Sequence, residues 1–141
     1  MKDNDRQRSY YCIRSNKGEG VVKKVLVVDD DRDYRVLLEQ ILIRDKFQVI
    51  HACSGQEAVN ILAQQSVCLL ISDLRMPNGD GWWLLSTLRE KNLKTMPVIM
   101  NSSDLVIEEI RLRELGADAV FSKSLVFNSL IPQIRKLLGK G

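Results

Sequence analysis

The chain is poor in the residues on which stapled or metal-built small domains depend. Its three cysteines, Cys12, Cys53 and Cys68, are an odd number without paired spacing. That excludes a disulfide framework and a zinc cluster, and it fits reduced thiols in a cytoplasmic protein. The expected role of Cys53 and Cys68 is packing. The single histidine, His51, has no neighbouring cysteine or carboxylate motif, so a structural role is expected for it. No apolar run approaches the roughly 20 residues of a membrane span. The polar start Lys2-Asp3-Asn4-Asp5-Arg6 lacks the apolar segment of a signal peptide, and no membrane partner is expected. Net charge is also small, +3 over 141 residues, and its placement matters more than its size. Residues 1–24 hold seven Lys or Arg against three Asp or Glu, whereas the remainder holds fourteen against fifteen. A basic excess confined to one end is too modest to imply direct nucleic-acid binding.

What the chain does have is a regular alternation of apolar patterns. At 45% hydrophobic residues and 141 in all, it suits one globular domain that needs no staples. Residues 1–21 carry no sustained periodicity and read as a flexible basic tail or linker, with the domain at 22–141. Val25-Leu26-Val27-Val28, Phe47 to His51, Cys68-Leu69-Leu70-Ile71, Val98-Ile99-Met100 and Ala119-Val120-Phe121 read as short strands. The uninterrupted apolar ones are expected to be covered on both faces. Helical stripes lie between them. Tyr34, Leu37, Leu38, Ile41 and Leu42 form the first; Ala58, Ile61 and Leu62 the second, opened by the capping box Ser54-Gly55-Gln56-Glu57. Leu84, Leu85 and Leu88 mark a third, residues near 105–115 a fourth, and Leu130, Ile131, Ile134, Leu137 and Leu138 a fifth. Five strand–helix units with short connections predict an α/β fold: a doubly wound, five-stranded parallel sheet with right-handed crossovers.

In such sheets, sites form beyond the carboxyl ends of the strands. Asp29, Asp30 and Asp31 follow the first strand, Asp73 the third, Asn101, Ser102 and Ser103 the fourth, and Ser122 and Lys123 the fifth. Two carboxylates about 5 Å apart at an effective dielectric near 20 repel by roughly 3 kcal/mol. A cation should offset that, and carboxylate oxygens suit Mg²⁺. Lys123 adds a fixed positive charge and Ser102 a donor. Carboxylate, divalent ion, lysine and hydroxyl together suit phosphoryl transfer, in which a carboxylate can itself be the nucleophile.

Four segments resemble the receiver domains of response regulators. They are Val25 to Asp31; Ile71-Ser72-Asp73-Leu74-Arg75-Met76-Pro77-Asn78-Gly79-Asp80-Gly81; Pro97 to Ser103; and Gly116-Ala117-Asp118 followed by Lys123. The resemblance spans residues 22–138 and implies a CheY-like, flavodoxin-like sheet of strand order 2-1-3-4-5. It implies Asp73 as phosphoacceptor. Asp29, Asp30, Asp73 and the backbone carbonyl of Arg75 would hold Mg²⁺. Ser102 and Lys123 would contact the phosphoryl group. Asp31 has no site role in the pattern and is expected to be solvated. The implied donor is a phosphohistidine on a sensor histidine kinase or histidine phosphotransfer protein. The implied output is a protein partner met through helix four, strand five and helix five. Such a protein is a switch that catalyses its own phosphorylation and dephosphorylation, not a turnover enzyme. Since the last helix ends near residue 138, output is expected through partner proteins, or from elsewhere in a longer chain of which this is one module.

Two departures stand out. Ser124 occupies the family's proline position after the lysine. A cis bond before a non-proline residue costs about 3 kcal/mol, so a trans Lys123–Ser124 bond is expected. Val120 stands where the family often has Tyr or Phe, and Phe121 should face the opposite side of the strand and join the core. Two other readings compete. A Mg²⁺-dependent aspartyl-phosphate phosphatase needs an acid two residues after the nucleophile, where this chain has Arg75. A receiver-like interaction module that is never phosphorylated is the second. Of Trp82 and Trp83, one is expected to pack inward and the other to stay partly exposed.

Overall fold

The computed structural model describes residues 23–103 and 108–139. The tail at 1–21 and the start of the predicted fourth helix therefore lie outside the described residues. Strands β1 (Lys23–Val28), β2 (Phe47–Ala52), β3 (Leu69–Ser72), β4 (Val98–Ser102) and β5 (Ala119–Ser122) alternate with helices. The helices are α1 (Arg32–Arg44), α2 (Gly55–Gln64), α3 (Gly81–Glu90), α4 (Glu109–Glu114) and α5 (Val126–Leu137). All strand pairings are parallel and the sheet runs β2-β1-β3-β4-β5. The expected order is thus the observed one.

Short polar side chains start the helices. Asp31 caps α1 by accepting from the amides of Asp33 and Tyr34, at 3.0 and 3.3 Å. It is exposed as expected, but it has a local job that the solvated reading missed. Ser54 caps α2, accepting from Glu57 N–H, while the Glu57 carboxylate accepts from Cys53 N–H at 2.7 Å. The capping box thus forms one residue wider than its usual reach. Bonding to that amide holds the Glu57 carboxyl below its ordinary value. Asp80 caps α3 through Trp83 N–H.

Period-two alternation sends each strand's residues to two cores. Leu26, Val28, Leu70, Val98 and Met100 pack beneath α2, α3 and α4 with Leu62, Leu84, Leu85, Leu88 and Leu112. Val25, Val27, Leu69, Ile71, Ile99 and Phe121 pack beneath α1 and α5 with Leu38, Leu42, Leu130 and Ile134. Phe121 is core and Val120 lies against the other cluster, as the strand parity requires. Cys68 is buried, but Cys53 is exposed, so the packing role expected of Cys53 is wrong. It sits in the two-residue connection between β2 and α2, where the chain turns outward at the sheet edge. Trp82 packs on the core beneath the Arg111 guanidinium, while Trp83 is 39% exposed.

Candidate functional site

The parallel register lines up the carboxyl ends of the central strands. Val28 is level with Ser72, Ser72 with Met100, and Ser102 with Ser122. The residue after each strand then projects at one edge: Asp29 after β1, Asp73 after β3 and Lys123 after β5. Ser102, the last residue of β4, is buried at the same edge.

Asp29 is the anchor. Only 2% exposed, it accepts from Asp31 N–H through Oδ1 at 2.9 Å and from Lys123 Nζ through Oδ2 at 2.9 Å. A buried carboxylate needs this pairing, because an unpartnered one would be strongly penalised. Its backbone carbonyl accepts from the Arg35 guanidinium. Arg35 also donates to His51 Nδ1, and His51 Nε2 lies 2.9 Å from Glu39. His51 is therefore a structural link, as its isolation in sequence implied.

Asp73 Oδ1 accepts from Leu74 N–H at 2.8 Å, and Oδ2 lies 3.5 Å from Lys123 Nζ. Burial, and then the negative charge of Asp29, push the Asp73 carboxyl above its ordinary value; Lys123 offsets only part of this. Burial acts to lower the Lys123 ammonium, but the hydrogen bond and charge of Asp29, with Asp73, outweigh it and hold it above the usual lysine range. One lysine thus bridges two acids from the far side of the sheet.

Asp29, Asp30 and Asp73 each offer a carboxylate oxygen within 4.8 Å of the others. All-oxygen, anionic donors of this kind match the chemistry of a hard divalent cation and not that of a soft metal. Asp30 is exposed at the mouth. Arg75 follows in the β3–α3 connection, and its guanidinium pairs with Glu108 at the start of α4, at 3.0 Å. Behind Asp73 sits Gly81, where a Cβ would stand 2.8 Å from the Asp73 carbonyl oxygen and collide with Met100 Cε. The first residue of α3 therefore packs directly on the acid-bearing loop.

The expected trans Lys123–Ser124 bond is observed; the described residues contain no cis peptide. Ser124 fits the turn another way. Lys123–Leu125 form a single 3₁₀ turn, with Ser122 Oγ accepting from Ser124 N–H at 3.3 Å and lying 2.8 Å from its hydroxyl.

At this edge the sequence reading missed Tyr34 and placed Asn101 without giving it a role. Asn101 Oδ1 accepts from the Tyr34 hydroxyl, and Asn101 Nδ2 donates to the Phe121 carbonyl at 3.1 Å. The Tyr34 ring also lies beneath Lys123 Nζ, 4.4 Å from the ring centroid. Burial, and then the charges of Asp29 and Asp73, drive the Tyr34 phenol far above its ordinary value, so it stays a neutral donor. Asn101 was visible in sequence as a polar residue at the end of an apolar strand; Tyr34 was masked by the apolar stripe it begins.

Comparison with known proteins agrees with this geometry. The family model of the response regulator receiver domain matches residues 25–135. The transcriptional regulatory protein CpxR of Escherichia coli is 32% identical over 117 residues, which are 83% of this chain and 50% of that protein. The chain spans about half the length of the curated relatives it matches. The receiver domain of Francisella response regulator 1452 superposes with a TM-score of 0.77 at 28% identity, covering 84% of this chain and 98% of that one. Response regulator TrrA of Thermotoga maritima, solved in complex with Mg²⁺-BeF, gives 0.75 at 29%, covering 83% and 100%.

Proposed function

Because the chain belongs to the response regulator receiver domain family, the receivers of two-component systems, we propose that it is a phosphoacceptor switch, with Asp73 as the acceptor. The donor is a phosphohistidine on a sensor histidine kinase or histidine phosphotransfer protein. A carboxylate oxygen of Asp73 bonds to phosphorus as the P–N bond of the donor breaks and its electron pair returns to the imidazole. Water later releases phosphate and restores the carboxylate, so the protein catalyses both halves of its cycle on itself. Asp29, Asp30, Asp73 and the carbonyl of Arg75 would hold Mg²⁺, which when bound neutralises charge on the transferring group. Lys123 contributes a fixed cation beside the acceptor and Ser102 a hydroxyl donor. The unit is read as 22–141 with a basic tail at 1–21, acting in the cytoplasm. The observation that carries the reading is Lys123 reaching from β5 to both Asp29 and Asp73.

Output through a protein partner on the α4–β5–α5 surface is supported by the apolar residues exposed there. Ile110 on α4 is 72% exposed and Leu125, just before α5, is 49% exposed. The test is intact mass after incubation with Mg²⁺ and acetyl phosphate. A gain of one phosphoryl group, absent in Asp73→Asn, is expected. Mg²⁺-dependent turnover of assorted phosphomonoesters would favour the phosphatase. The absence of both adduct and Mg²⁺ affinity would favour the unphosphorylated interaction module.

A further inference from the structure

Lys123 has a long, freely rotating stem, yet its ammonium must stand in one place to serve two acids and an incoming phosphoryl group. Ion pairing alone does not hold it there, because a lysine attracted by Asp29 and Asp73 can meet them from many directions. The Tyr34 ring supplies a floor: its face is 4.4 Å below the ammonium, where the negative face of the ring attracts a cation. The ring is fixed in turn by its hydroxyl, which donates to the buried amide of Asn101. The same amide donates to the carbonyl of Phe121, two residues before Lys123. One side chain on β4 thus fixes both the floor under the lysine and the strand from which the lysine departs. Strand parity puts Asn101 on the face of Ile99, toward α1 and α5, and Val120 on the opposite face.

We propose that Tyr34 and Asn101 are positioning residues for Lys123, holding its ammonium above the Asp29–Asp73 pair and tying α1 to the tip of β5. The functional half of this proposal rests on Lys123 contacting the phosphoryl group; the structural half does not. A merely structural pair would stabilise α1 without affecting where the lysine stands or how it meets an anion.

The full chain is studied in four forms: parent, Tyr34→Phe, Tyr34→Leu and Asn101→Val. Carbon–proton NMR follows the ε-methylene of Lys123, assigned by its loss in Lys123→Met. Ring-current shielding should displace it upfield most in the parent, less in Tyr34→Phe, which keeps the ring but loses the hydroxyl–amide bond, less again in Asn101→Val, which also frees the Phe121 carbonyl, and not at all in Tyr34→Leu. In parallel, beryllofluoride uptake in Mg²⁺ is compared with affinity for Mg²⁺ alone. Tyr34→Leu should weaken beryllofluoride uptake about fivefold while Mg²⁺ affinity stays within about twofold, and Tyr34→Phe should retain most of the parental uptake. An unshifted Lys123 methylene in the parent overturns the proposal. So does parental beryllofluoride uptake in Tyr34→Leu, or a parallel fall in both affinities. If the parent itself takes up no beryllofluoride on Asp73, the phosphoacceptor reading falls, and the NMR result still decides where Lys123 stands.

Discussion

The two faces of the sheet hold their helices differently. Toward α2, α3 and α4 the adhesion is apolar from β1 through β4, and the tie that Arg75 makes from the acidic loop to Glu108 at the start of α4 is an exposed one. Toward α1 and α5 an equally apolar core is supplemented at its upper rim. There Tyr34 reaches Asn101 and Lys123, and Arg35 reaches the Asp29 carbonyl. The helices at the two ends of this contrast also differ in hold. α1 runs 13 residues with Leu38 and Leu42 buried, whereas α4 runs six with Leu112 buried. Apolar burial is non-directional and stabilises whatever arrangement hides the most area. Directional polar contacts cost more to desolvate but fix positions. On the α1 side, directional contacts therefore add to the apolar packing and reach the acidic edge itself.

This contrast can be broken experimentally. The largest expected effect is a cavity on the apolar face. Leu84→Ala should lower stability by about 2–5 kcal/mol in urea unfolding. Mg²⁺ affinity should stay near the parental value, and a strong loss of it would mean that apolar packing also positions the site. Asn101→Val comes next. Leaving the Phe121 carbonyl and the Tyr34 hydroxyl without their partner should cost about 1–3 kcal/mol, and here site chemistry should suffer as well.

Asp73→Asn should act in the opposite direction, raising stability near neutral pH by on the order of 1 kcal/mol through relief of like-charge repulsion and burial. The sign follows from linkage. A carboxyl held above its ordinary value of 3.8 favours the fold fully while protonated, below that pH. The advantage is lost as pH rises through the folded-state value. The stability difference between variant and parent should thus open with rising pH above 3.8 and vanish below it. A difference independent of pH across that window would be at odds with an Asp73 carboxylate disfavoured by burial and by Asp29. The smallest effect belongs to Arg75→Ala. An exposed pair contributes about 0.2–1 kcal/mol at most, so melting should barely change, while amide exchange in α4 should quicken if Arg75 restrains it.

The sheet was legible because uninterrupted runs such as Val25–Val28 have few alternatives to a strand buried on both faces. Asp29, Asp73 and Lys123 were legible because parallel topology sends the residue after each strand to one edge. What escaped depends on contacts between elements. Tyr34 belongs to the apolar stripe of α1 by spacing, and nothing local says that its hydroxyl finds an amide 67 residues away. Asn101 was placed at the right edge, but its partners Tyr34 and Phe121 were hidden for the same reason. Asp31 read as solvated because its cap is made to amides, which every residue carries. Cys53 read as packing from residue type alone, although the turn after β2 leaves it outside.

Gly81 carries a consequence beyond its own position. With no side chain, it lets the first turn of α3 rest on the carbonyl of Asp73, and even a methyl group there would meet that oxygen at 2.8 Å. The reach of the Asp73 carboxylate toward Lys123 is thus a dimension set partly by an atom that is absent, and position 81 acts as a gauge block for the acidic pocket. A chain that kept every acid and the lysine but gained one carbon at residue 81 would have the right reagents at the wrong spacing.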